Sequence, residues 1–268
     1  ISRCVWVSLN TFRVAECVVY GLEVFKDYFK GYEEQYVLIG GAACDIAFEE
    51  REQVFRKTRD LDMVLIIEVL TPEFGERFWE FIKGGQYRNK VTNKGKPQFY
   101  RFDKPEIDGY PRMIELFCRE DFKLKENKGI TPIHIDDSIS SLSAILLDND
   151  YYELLLDGRT IIDGMPVLRP EYLILFKAKA YLDLFNRRNN GEKVDSSNIN
   201  KHKNDVLRIV AALTLNRVDK LSSSIKTDID DFISTLFSYP FDYNLLKERN
   251  IKNEEVIDKL KSIYDWLE

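Results

Sequence analysis

Glycine and proline are scarce in this chain of 268 residues, at 13 and 8 copies, which excludes collagen-like and low-complexity architectures. Four cysteines, Cys4, Cys17, Cys44 and Cys118, lie far apart with no C-x-x-C pair, and Cys44 and Cys118 sit inside apolar segments. That usage argues against structural zinc and a secreted disulfide scaffold, and for a reducing, cytoplasmic location. The two histidines, His134 and His202, have no Ser or Cys arrangement beside them that suggests nucleophilic catalysis, and both are read as structural or surface residues. No apolar run approaches the ~18 to 20 residues of a membrane span, so no membrane partner is expected. Positive charge is not in excess either: the net charge is −6, so any polyanion site must be a local patch. The opening segment, ISRCVWVSLN, lacks the layout of a signal peptide and reads as a truncated or atypical N-terminus.

What is present is a mixed pattern. A helix around Val24 to Phe29 ends at Gly31, and the β-rich run Tyr36 to Gly40 is closed by two glycines. A helix is expected from Ala42, then a strand from Asp60 to Ile67 that is apolar enough in its second half to be buried on both faces. Thr71 is a plausible N-cap with Pro72 in the first turn behind it. Strands follow at 98–102 and 112–119, a helix at 136–147, and a hairpin turning at Asp163-Gly164. Beyond Pro170 only helices are expected, at 171–187, 201–215, 228–237 and 253–267, with a polar loop between the first two. The fold class is therefore α+β: a mixed-sheet core over 1–168, with 1–20 an atypical extension, followed by a helical domain over 169–268.

Residues i and i+2 of a strand share a face, so Asp60 and Asp62 point together with Cα atoms ~6.5 Å apart. Two carboxylates at that distance repel by roughly 2 to 3 kcal/mol at an effective dielectric of 20. A cation between them removes the cost, and hard oxygen ligands select Mg²⁺ or Mn²⁺. Glu115 stands among Met113, Ile114, Leu116, Phe117 and Cys118, where a carboxylate must be paired, protonated or metal-bound. Beside the Asp60 strand it would be a third acid, able to accept a proton from an attacking hydroxyl. Paired structurally, its partner would be Arg56, Arg59 or Arg119.

The run VLIGGAACDIAFEE…FRKTRDLDMVLIIE resembles the nucleotidyltransferase superfamily, with a glycine turn, a helix and then a D-x-D strand. More narrowly, the chain resembles the AbiEii/AbiGii toxin-like nucleotidyltransferases of abortive-infection and type IV toxin–antitoxin systems. SSLSAILLDNDYYELL, IIDGMPVLRPEYLILFKAKAYLDL and KHKNDVLRI extend the likeness over roughly residues 24 to 215. The resemblance implies a polymerase-β-like core that binds a nucleoside triphosphate (NTP) and Mg²⁺ or Mn²⁺, with Asp60, Asp62 and Glu115 as catalytic and metal-ligating acids. Gly40 and Gly41 would hold the triphosphate through backbone N–H groups. Thr58 matches the small hydroxyl residue two positions before the first acid. Arg56 brings charge for phosphate, or serves as a salt-bridge partner. Lys177 resembles a helix lysine of the family that contacts triphosphate, the other reading being a lysine snorkelling over the core. Lys203 and Asp205 resemble a Lys/Arg-x-Asp element that closes over the site.

Two departures stand out: the Gly41 to Asp60 spacing is longer than in minimal members, and the third acid is Glu rather than the commoner Asp. Between Arg169 and Arg217, Lys and Arg outnumber Asp and Glu two to one. The implied activity moves an NMP from an NTP to an acceptor hydroxyl, with an RNA (tRNA-like) 3′ end first and a protein side chain second, and a cognate antitoxin as partner. A rival from another class is a degenerate nucleotide-binding regulatory module.

Overall fold

The computed structural model describes residues 19–50, 53, 55, 56, 58, 60–89, 99–117, 145, 146 and 148–264. Thr71 caps α3 (Pro72–Gly84) by accepting the Phe74 N–H, and its own hydroxyl reaches Gln35 Oε1 at 3.2 Å. Ahead of it come α1 (Leu22–Tyr28), β1 (Tyr36–Ile39), α2 (Gly40–Glu49) and β2 (Asp60–Leu65). After it run β3 (Arg88–Asn89), β4 (Phe99–Asp103), β5 (Met113–Phe117), α4 (Asn149–Gly158), β6 (Arg159–Ile162) and β7 (Met165–Leu168). Five helices close the described chain: α5 (Pro170–Asn189), α6 (Ser196–Ala212), α7 (Ser223–Ser238), α8 (Tyr243–Glu248) and α9 (Asn253–Tyr264).

The seven described strands form one mixed sheet in the order β3-β4-β5-β2-β1-β7-β6, followed by helices, as an α+β reading requires. β2 pairs antiparallel with β1 and parallel with β5, so both central strands are covered on two sides and read as near-continuous apolar runs. The hairpin turn also stands: Asp163 and Gly164 both take positive φ, 46° and 74°, the geometry of a two-residue turn that matches strand twist.

Register decides which face carries chemistry. Tyr36 pairs with Leu65 and Leu38 with Met63, so Leu61, Met63 and Leu65 share one face, under α1 and α3. There Phe25, Phe29, Phe74, Phe78 and Phe81 are fully buried, and the rings of Phe29 and Phe81 meet at 5.4 Å. Asp60, Asp62 and Glu115 fall on the other face, where α2 runs back over β1, β2 and β7 and meets α5.

Several boundaries differ from expectation. The first strand hands over to its helix at Gly40 rather than Ala42, and β2 stops at Leu65 because Ile66 turns to bond the Gln35 carbonyl. α6 starts five residues earlier than expected, at a cap in which Asp195 accepts the Ser197 N–H at 2.8 Å. α7 likewise starts behind a Ser222 cap. α4, capped by Asp148, and the short α8 were not anticipated. The helix expected at 136–147 falls outside the described residues apart from Ile145 and Leu146, which are helical. Among the described residues no helix is long and apolar enough to cross a membrane.

Candidate active site

The chain's D-x-D places two carboxylates on one face of β2, and the parallel register sets Asp62 directly opposite Glu115 of β5. One strand further out, Arg101 of β4 stands opposite Glu115, so Asp62, Glu115 and Arg101 form a row across three strands. Arg101 Nε donates to Glu115 Oε1 at 2.7 Å and its Nη2 reaches the same oxygen. This corrects the expected structural partners: Arg101 holds Glu115, because the cross-strand pairing outranks proximity in sequence. Asp62 and Glu115 are also in hydrogen-bond contact. Burial, then the neighbouring charges of Glu115 and Asp60, push the Asp62 carboxyl well above the usual range, with Lys201 opposing. Burial raises Glu115 as well, and Arg101 counters it.

Two glycines let this cluster form. Gly40 has a left-handed φ of 65°, and a Cβ built on it would lie 1.9 Å from Asp62 Oδ2. A Cβ on Gly41 would lie 2.5 Å from Thr58 Oγ1. The first turn of α2 therefore presses its backbone against an acid and a hydroxyl, which no larger residue permits. Its N–H groups and the positive end of its dipole face the same space.

The facing wall is cationic. Asp205 of α6 is fully buried and ties it together: Arg56 Nε donates to Oδ1 at 2.7 Å and Nη2 to Oδ2 at 2.9 Å. Lys177 of α5 donates to Oδ2 at 2.9 Å and Arg208 to Oδ1 at 3.2 Å. Burial alone would raise the Asp205 carboxyl; Lys177 and Arg56 overcome it and hold the group well below the carboxylate range. Arg56 and Lys177 thus line the cleft while serving as ion-pair partners inside its wall. Leu173, Phe176 and Ala180 share a helix face with Lys177 and add an apolar strip.

Asp60, Asp62, Glu115, Gly40, Gly41, Arg56, Thr58 and Lys177 all line this one cleft. Asp205 stands behind it. Lys203, expected to close over the site, is not among the lining residues: its ammonium bonds the carbonyls of Tyr239 and Pro240 at 3.2 and 3.0 Å, beyond the C-terminus of α7. The reason is helical phase. Residues two apart on a helix lie about 200° apart, so when Lys201 faces the cleft Lys203 faces away. Lys201 and His202 line the cleft instead, and His202 is half-buried there. Its Nε2 has no hydrogen-bond partner among the described residues, and burial followed by the charges of Lys177 and Lys201 lowers its pKa to about 3. The signal was in the sequence: Lys201 lies one helical turn before Asp205, on the same face.

One turn beyond Gly41, Asp45 is 5% exposed and its Oδ2 has no hydrogen-bond partner among the described residues. Burial raises this carboxyl to about 7, against the opposing charge of Arg56. A folded pKa above the unfolded value means that the folded protein holds the proton more tightly. That stabilisation is full below about pH 4 and is lost as pH rises through about 7. Asp45→Asn is expected to flatten the fall in stability between those limits, worth on the order of a few kcal/mol. Urea midpoints from pH 4 to 8 measure it, and a parallel fall in the variant refutes the assignment.

Taken together, fold and site define a mixed α+β protein whose cleft opposes carboxylates to cations across a helix N-terminus. No protein-family model matches the chain, and no curated protein matches it in sequence. Among solved structures it is similar to an antigenic nucleotidyltransferase-like protein from Paracoccidioides brasiliensis, with a TM-score of 0.40 and 12% identity over 87% of this chain and 89% of that one.

Proposed function

We propose that this protein is a metal-dependent nucleotidyltransferase that moves an NMP from an NTP to an acceptor hydroxyl. The observation that carries this reading is the Asp62 carboxyl, in contact with Glu115 and pressed against the Gly40 backbone, facing the cations Arg56, Lys177 and Lys201. Carboxylates suit divalent metal and cations suit phosphate, and one cleft supplies both.

The chemistry of the donor set, hard carboxylate oxygens, supports Mg²⁺ or Mn²⁺ as the ion. Among the described residues no three or more His, Cys, Asp or Glu are gathered as a ready ligand cage. Mg²⁺ is characteristically held by one or two carboxylates together with substrate phosphates, which is what a D-x-D with a neighbouring acid offers. Asp60 and Asp62, with Glu115 beside them, would hold the ion, which supplies charge neutralisation at the phosphates.

The chain's own residues do the remainder. The N–H groups at the start of α2 and the cationic wall receive the triphosphate, and the apolar strip of Leu173, Phe176 and Ala180 excludes water. The acceptor oxygen bonds the α-phosphorus as the bond to the β-phosphate bridging oxygen breaks, releasing pyrophosphate. The acceptor's proton passes to the Asp62–Glu115 carboxylate pair. An RNA 3′ end is the acceptor that the sequence resemblance favours.

Incubating the full chain with each labelled NTP, Mg²⁺ and total RNA or total protein tests the reading. Label is expected on RNA, and EDTA is expected to abolish it. Label on protein instead would reassign the acceptor. Nucleotide bound tightly with no transfer to either would make the protein a binding module.

A further inference from the structure

The cations of the cleft are not equivalent. Asp205 occupies Arg56 through two hydrogen bonds and Lys177 through one, with all three side chains held in the wall. Arg56 is further seated over the Phe55 ring, 5.4 Å from its centroid. Neither is free to follow a ligand. Lys201, by contrast, is exposed, lines the cleft and makes no hydrogen bond or ion pair among the described residues. The next residue, His202, presents an imidazole whose Nε2 also has no partner.

Resting on the nucleotidyltransferase reading, we propose that Lys201 and His202 form the contact to the nucleotide's polyphosphate that the internal ion pairs leave open. Lys201 supplies a mobile charge and three N–H donors. It lines the same cleft as the acids Asp60 and Asp62 and the cations Arg56 and Lys177. His202 adds a hydrogen bond without adding charge. Burial first, and then the positive groups around it, Lys177 on α5, Lys201 on its own helix and Arg56 before β2, keep the ring neutral at physiological pH against the opposing charge of Asp205. Its Nε2 is buried beneath neighbouring atoms, so a phosphate oxygen reaches it only where side chains at the mouth move aside. A buried donor or acceptor without a partner is costly, and a phosphate oxygen relieves that cost.

The probe is inorganic tripolyphosphate, titrated into the full chain by calorimetry at fixed ionic strength. Lys201→Ala and His202→Ala are each expected to weaken its binding about tenfold, as loss of a hydrogen bond to a charged group does. Lys201→Arg should restore affinity to within about twofold. Lys193→Ala removes an exposed lysine outside the cleft lining and should change nothing, which separates a specific contact from the general loss of positive charge. Wild-type affinity for tripolyphosphate in both Lys201→Ala and His202→Ala would overturn the inference while leaving nucleotide transfer intact. Wild-type protein that binds NTP but not tripolyphosphate would overturn it too. Protein that binds neither would remove this inference and the proposed function together. Binding that depends on Lys201, without transfer to any acceptor, would uphold the contact and end the enzyme reading alone.

Discussion

Asp62→Asn protein is expected to melt no lower than wild type and to transfer nucleotide about a thousandfold more slowly. The amide keeps the shape that fits against Gly40, so the first turn of α2 stays where it is. It removes one of three neighbouring acids whose charges oppose each other in a buried place, which relieves the folded protein. It also removes a full negative charge from the position proposed to hold divalent metal. Charge stabilisation of that kind contributes several kcal/mol to a transition state, and about 4 kcal/mol corresponds to a thousandfold in rate. Melting curves and single-turnover transfer assays on the same preparation read both halves. Transfer at wild-type rate would end the catalytic assignment of the D-x-D strand.

Asp205→Ala should have the opposite signature, with its largest effect in stability. The carboxylate is fully buried and receives Arg56, Lys177 and Arg208. Its removal leaves Lys177, itself buried, without its partner and the guanidinium of Arg56 without two hydrogen bonds. Breaking a buried pair from one side costs about 3 to 5 kcal/mol, because the remaining charge is left uncompensated. Urea denaturation should show that loss in the midpoint with little change in slope. A midpoint matching wild type would mean that water already serves these cations and that the cleft wall is looser than its geometry. Lys177→Met on the same background tests the cause: it removes a stranded charge and should recover part of the loss.

The sequence was most legible where chemistry is local. The Thr71-Pro72 cap, the Asp163-Gly164 turn and the two-residue rhythm of Asp60 and Asp62 depend on neighbours only a few positions away. Even the meeting of Asp62 and Glu115 followed once their two strands were taken as adjacent. What escaped were pairings set by register and helical phase. Arg101 lies 14 residues before Glu115, and only the alignment of β4 with β5 brings it opposite. Lys203 shares a basic segment with Lys201, yet the start of α6 at Ser196 and the burial of Asp205 turn one toward the cleft and the other toward α7. His202 looked inert because no catalytic partner stands near it in sequence; its neighbours come from α5 and from the segment before β2.

The ion-pair knot at Asp205 also governs how the cleft can move. Arg56 belongs to the segment leading into the acid strand, whereas Lys177 and Asp205 belong to two helices, so within the cationic wall one carboxylate joins that segment to the helices. Parting them means breaking both hydrogen bonds from Arg56 and leaving the buried carboxylate to Lys177 and Arg208. That tie favours a fixed slot over a jaw. A ligand entering such a slot displaces side chains at its mouth, and the walls keep their spacing.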